Sequence, residues 1–147
     1  DRLFHGPDFH GIRQVNGCSG EGMAALVKAA PLPAEWINQP LRNAWLADPL
    51  VLDSSFQLMI LWSFERFAAG SLPVFVDRYR QYTDRFPAHG SEVRIHVTRQ
   101  SAGKATADID FVDPDDNRLV ARIEGYECVI DASLNKSFQH NKLQGAA

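Results

Sequence analysis

The sequence predicts an α+β domain in which antiparallel strands surround a single long, buried helix. Three observations carry this expectation. Residues Leu50 to Ala69 contain neither Gly nor Pro and are rich in Leu, Met, Phe, Glu and Ala, a composition that supports one long helix. Downstream the apolar period changes to two, with Val93, Ile95 and Val97 alternating with Arg94, His96 and Thr98, and Ile109 and Phe111 alternating with Asp108 and Asp110. Asp113-Pro114-Asp115-Asp116-Asn117 is a strong turn signal between two such runs, and Leu119, Ala121 and Ile123 resume the alternation beyond it, as in a β-hairpin.

The elements follow in order. Residues 3 to 47 are punctuated by Gly6, Pro7, Gly11, Gly17, Gly20, Gly22, Pro31, Pro33 and Pro40, which favours short strands and loops over a long helix. Within this region Ala24-Ala25-Leu26-Val27-Lys28 is ambiguous, since its alanines also suit a helix. Pro49 suits the first turn of the long helix, where its missing N–H costs nothing. Leu52, Phe56, Met59, Ile60, Leu61, Trp62, Phe64 and Phe67 spread over almost its whole circumference, the pattern of a helix inside a core. Gly70 is the expected stop, with Ser71-Leu72-Pro73 leading out. Tyr79, Arg80 and Tyr82 read as an amphipathic strand, Ser101-Ala102-Gly103 as a second turn, and Tyr126 to Ile130 as the last strand before a polar tail ending in Gly145-Ala146-Ala147.

Composition narrows the function classes. At 147 residues and 45% hydrophobic content the chain has the size of one ordinary domain and is no disordered segment. Its net charge of -3, with no segment concentrating Lys or Arg, lacks the footprint of a nucleic-acid or anionic-membrane binder. Cys18 and Cys128 match no zinc or redox spacing and read as buried free thiols, which fits a reducing cytoplasm. The apolar run from Leu58 to Trp62 is far too short to cross a bilayer, and no charged-then-apolar signal opens the chain. The acidic cluster Asp113 to Asp116 has the wrong spacing for a calcium loop, and no metal site is expected. The chain opens on Asp1 and runs at once into Leu3-Phe4-His5-Gly6-Pro7, which suggests a segment of a longer polypeptide.

Two motifs give a more specific lead: Leu3-Phe4-His5-Gly6-Pro7-Asp8-Phe9-His10-Gly11-Ile12 and Asp48-Pro49-Leu50-Val51-Leu52-Asp53-Ser54-Ser55-Phe56-Gln57. Together, in this order and followed by hairpins, they resemble the C-terminal hotdog of double-hotdog dehydratase domains from modular polyketide and polyunsaturated fatty acid synthases. The first is similar to the Gly-Pro-x-Phe strand that opens the second hotdog of that family. The second is similar to its Pro-x-x-x-Asp-x-x-x-Gln/His signature at the start of the central helix. The resemblance spans nearly the whole chain. It implies a hotdog fold over residues 1–140, a flexible tail over 141–147, and a strand at Ala24 to Lys28. One departure is that many polyketide members carry His directly before the motif's Pro, where this chain has Asp48.

The resemblance also implies chemistry, the syn-type removal of water from a β-hydroxyacyl thioester carried on an acyl carrier protein. An α-proton is weakly acidic and hydroxide is a poor leaving group, so a base and an acid must act at opposite ends of one bond pair. Asp53 matches the family's acid. Gln57, one helical turn later, lies on the same face and can orient the carboxyl by a hydrogen bond. Without the motif, an Asp in this position reads only as a cap or a favourable charge. Phe4, Gly6, Pro7, Phe9, Phe56 and Ile60, together with Phe64, are candidates to line an acyl tunnel, although apolar residues at these spacings also serve as core. No cofactor is implied beyond the phosphopantetheine arm of the carrier protein, which the Tyr79 to Tyr82 stretch could touch if it is more than an amphipathic strand.

The family's base is a His within His-x-x-x-Gly-x-x-x-x-Pro on the preceding hotdog, and no segment here has that spacing. His5, His10, His89, His96 and His140 therefore do not inherit the base role, and the isolated chain is expected to be inactive or nearly so. The implied partners are the carrier protein and an adjacent N-terminal hotdog; self-association is the expected behaviour of a lone hotdog with an open edge. Competing readings are a non-catalytic acyl-binding or scaffolding hotdog, and a product-template-like cyclase or thioesterase working as a homodimer.

Overall fold

The computed structural model describes residues 3–139. The chain runs through a 3₁₀ turn (Pro7–Phe9), β1 (Ile12–Ser19), β2 (Gly22–Val27), α1 (Pro33–Trp36), α2 (Pro49–Phe67), β3 (Gly70–Phe75), β4 (Arg78–Gln81), β5 (Ser91–Gln100), β6 (Lys104–Val112), β7 (Leu119–Asp131) and α3 (Leu134–Gln139). All strands join one antiparallel seven-stranded sheet in the order β1-β2-β5-β6-β7-β3, with β4 also pairing to β7.

The long helix is buried, as its composition predicts. Val51, Leu58, Met59 and Trp62 of α2 pack against Ala25 and Val27 of β2, Val93 and Ile95 of β5, Ile109 and Phe111 of β6, and Ile123 of β7. Alternation explains the strand side of this core: on β5, Val93 and Ile95 are buried while Arg94 and His96 turn away from the core. Leu52, Phe56 and Leu61 of α2 are only partly buried. The Trp62 indole N–H donates to the Ser19 carbonyl over 2.9 Å, which ties the helix to the end of β1.

Both expected turns are present. Asp113 closes the β6–β7 hairpin as an Asx turn, with its carboxylate accepting from the Asp115 N–H at 3.1 Å and its carbonyl from the Asn117 N–H at 2.9 Å. The bond from the Asp115 N–H, followed by contacts from His89 and Arg118, holds the Asp113 carboxyl below its ordinary pKa against the opposing effect of desolvation. The strand expected over Ala24 to Lys28 is present as β2, which starts earlier, at Gly22, and ends at Val27.

Four local expectations are corrected. The Gly-Pro-x-Phe segment is not a strand: Pro7–Phe9 form a 3₁₀ turn closed by Phe9 N–H to Gly6 O at 3.0 Å and His10 N–H to Pro7 O at 3.1 Å, and the strand begins at Ile12. Helix α2 ends before Gly70, because Ala68 adopts the left-handed conformation at φ 52° and donates to the Phe64 carbonyl, so Gly70 opens β3 instead. The polar tail begins with α3, whose Phe138 ring leaves no room for a side chain at Gly70. Cys18 is exposed, and only Cys128 is a buried thiol. Residues 141–147 lie outside the described residues.

Candidate active site

The start of α2 is fixed by Asp48. Its Oδ1 accepts from the Leu50 and Val51 N–H groups at 2.9 Å, and its Oδ2 from the Ala30 N–H at 2.9 Å. Burial pushes the Asp48 carboxyl above its ordinary pKa, and the three N–H donors partly offset that rise. The residue that departs from the family pattern is thus a cap that also ties the helix to the chain leaving β2.

One turn into the helix, Asp53 presents a carboxyl that is 28% exposed. Gln57, buried on the same face, donates from Nε2 to Asp53 Oδ2 at 2.7 Å and to the Phe9 carbonyl at 2.8 Å. Both amide hydrogens are therefore used, and the amide is held between the helix and the segment carrying the first motif. The sequence-based pairing of Asp53 with Gln57 has the geometry expected of an orienting hydrogen bond.

The first motif reaches this point because Gly11 has no side chain. A Cβ there would lie 2.2 Å from Ser54 Oγ and 3.0 Å from Leu50 Cγ, both on α2. Gly11 also accepts from the Lys28 N–H at 2.9 Å, which anchors the segment to the end of β2.

The same segment delivers His5 to Asp53. His5 Nε2 stands 3.5 Å from Asp53 Oδ2, and the His5 side chain is only 12% exposed. Phe4 stacks on the His5 ring at 4.2 Å and contacts Phe138 at 4.8 Å, while His10 Nε2 lies 2.9 Å from the His5 carbonyl. Burial depresses the His5 pKa, His10 acts in the same direction, and Asp53 opposes them. Sequence reasoning gave His5 no role at Asp53; its place within the Gly-Pro motif was the available signal.

The remaining candidates divide. Gly6 and Pro7 form the turn between His5 and Phe9, and Phe9 stacks on Trp36 at 5.2 Å. Trp36 meets Trp45 at 6.2 Å, and Trp45 also lines an apolar groove of about 480 Å³ with Ile37, Pro40, Leu41 and Leu46. Phe56 stacks on Tyr126 at 5.3 Å, and Ile60 is buried. Phe4 and Phe9 are thus near Asp53 and its partners, whereas Phe56 and Ile60 are engaged in packing. Tyr79, Arg80 and Tyr82 lie on or next to β4, with burial pushing the Tyr79 phenol up to about 12. His89 pairs with Asp113 at 3.0 Å and Asp115 at 3.5 Å beside the hairpin, and His96 is exposed on β5. His140 lies outside the described residues. Among those described, no helix is long and apolar enough to cross a membrane.

Known proteins share both the sequence pattern and the fold. A family profile described as the polyketide synthase dehydratase N-terminal domain matches residues 1–130. Over 80 residues the chain is 32% identical to a polyunsaturated fatty acid synthase polypeptide of a Thraustochytrium species, covering 54% of this chain and 3% of that protein. The dehydratase domain from the CurJ module of the curacin polyketide synthase superposes with a TM-score of 0.67 at 20% identity, covering 90% of this chain and 44% of that one. Zebrafish thioesterase superfamily member 2 superposes with a TM-score of 0.58 at 12% identity, covering 80% of each chain. The chain therefore spans less than half of the polyketide dehydratase and a small fraction of the fatty acid synthase polypeptide. Its fold is the hotdog, and by the profile match over most of its length the chain belongs to the polyketide synthase dehydratase family.

Proposed function

We propose that this chain is the acid-bearing second hotdog of a β-hydroxyacyl-thioester dehydratase acting on intermediates carried by an acyl carrier protein. The observation that carries the proposal is the Asp53 carboxyl held by Gln57 on the central helix of a dehydratase-family hotdog. The family profile is described as an N-terminal domain. The assignment to the second half rests on the sequence, which has the Pro49, Asp53 and Gln57 signature and lacks the His-x-x-x-Gly-x-x-x-x-Pro pattern.

In this reading a His on the paired hotdog takes the α-proton, the electron pair forms the α,β double bond, and the C–O bond breaks as Asp53 protonates the departing hydroxyl. Water leaves, and Asp53 is left ionised until it regains a proton. Gln57 donates to Oδ2 and so fixes the direction of the carboxyl. The phosphopantetheine arm of the carrier protein brings the thioester, and no bound cofactor is required.

The test is dehydration of a β-hydroxyacyl thioester by the polypeptide in which this chain sits beside its paired hotdog. Asp53→Asn keeps the Gln57 contact but has no proton to give, and is expected to lower kcat by at least ~100-fold. Retained activity in a folded Asp53→Asn variant overturns the assignment. Cyclisation or thioester hydrolysis of the same substrate, in place of dehydration, favours the alternative hotdog activities.

A further inference from the structure

We propose that His5 is a positioning residue for Asp53: with Gln57 it holds the carboxyl by Oδ2, leaving Oδ1 as the oxygen that carries the proton to substrate. This inference rests on the reading of Asp53 as the acid. Gln57 Nε2 is 2.7 Å from Oδ2, and His5 Nε2 approaches the same oxygen to 3.5 Å, an electrostatic contact rather than a short hydrogen bond. Among the described residues Oδ1 has no hydrogen-bond partner.

The ring is held from several sides. Phe4 stacks on it with an interplanar angle of 25°, Phe138 of α3 backs Phe4, and His10 bonds the His5 carbonyl. Its buried Nδ1 has no hydrogen-bond partner among the described residues. A neutral imidazole protonated on Nε2 turns that N–H towards Oδ2 and leaves Nδ1 as a bare lone pair. An imidazolium would place a second N–H where nothing accepts it, at a cost typical of a buried unsatisfied donor. The titratable groups facing the ring are Asp53 from α2 and His10 from the turn; burial lowers the ring's pKa, Asp53 opposes that and His10 adds to it. His5 therefore gives the carboxyl its direction.

The experiment has two arms. In this chain, NMR titration follows the Asp53 side-chain carbon and the His5 ring nitrogens in wild type, His5→Gln and His5→Phe. The expected result is an Nε2-protonated His5 and an Asp53 titration that moves in His5→Phe and largely returns in His5→Gln, whose amide replaces the Nε2 donor. In the polypeptide with its paired hotdog, His5→Phe is expected to lower kcat about tenfold with KM changed by less than about twofold, and His5→Gln to recover most of it. If the Asp53 titration is the same in all three proteins, the inference is overturned. If Asp53→Asn is inactive while His5→Phe matches wild type, only the role of His5 fails. If Asp53→Asn is active, the acid reading itself fails. Should His5→Phe not fold, the wild-type ring nitrogens decide, and a His5 protonated on Nδ1 alone overturns the inference.

Discussion

Gly11→Ala tests whether the first motif reaches the site by lying directly on α2. The backbone of Gly11 is not in the left-handed region, so the cost of a methyl group there comes from contact alone. That methyl would meet Ser54 Oγ at 2.2 Å, and Leu50 Cγ and Cδ1 at 3.0 and 3.1 Å. The Ser54 hydroxyl can rotate, but Leu50 is 0% exposed and has nowhere to go. Overpacking of this kind costs about 1–3 kcal/mol. Ser54 Oγ is buried without a hydrogen-bond partner among the described residues, so Ser54→Ala alone should be neutral or stabilise by up to about 1 kcal/mol. In Gly11→Ala/Ser54→Ala the shortest contact is gone and only the Leu50 contacts remain, leaving a cost of about 1 kcal/mol. Urea unfolding at constant m reads the series, with the Gly11→Ala midpoint lower by about 0.5–1 M and partly restored in the double variant. An unshifted Gly11→Ala midpoint, or costs that simply add in the double variant, would refute the packing of this segment on the helix.

Other outcomes follow from single features. Because burial depresses His5 below its ordinary 6.5, the unfolded chain binds a proton that the folded chain resists, so stability should fall as pH drops below 6.5 and level off beneath the folded value. Chemical denaturation from roughly pH 7.5 to 4.5 should show this loss in wild type and a smaller one in His5→Phe; identical profiles would contradict it. Ala68→Gly removes the left-handed strain at φ 52° and should stabilise by about 1 kcal/mol, raising Tm by about 3 °C in calorimetry. Asp48→Ala removes the cap and leaves the Ala30 N–H without its acceptor, a loss of about 2 kcal/mol readable in the same urea assay.

The legibility of the site divides by sequence distance. Asp53 and Gln57 were readable because residues one helical turn apart share a face in any helix, and the apolar circumference from Leu52 to Phe67 already declared that helix buried. The approach of His5 was not readable, since nothing in the spacing of Phe4, His5 and Gly6 says which element they will lie on. The stop at Ala68 was missed for a related reason. Gly is the default left-handed residue, but here Ala68 takes that conformation as the cap while Gly70 opens β3 and packs under Phe138.

The sequence by itself determined the central helix, the two hairpin turns, the alternating core faces of β5 and β6, and the pairing of Asp53 with Gln57. Each of these depends on hydrogen bonds or periodicities spanning a few residues. Only the tertiary structure decided that the Phe9 carbonyl meets Gln57, that His5 shares Oδ2 with Gln57, and that Phe138 backs Phe4. Those contacts join segments far apart in the chain. They require that a glycine at position 11 let one segment settle on α2 and that α3 pack on the start of β3. Such contacts are set by the packing of whole elements, which no local pattern encodes.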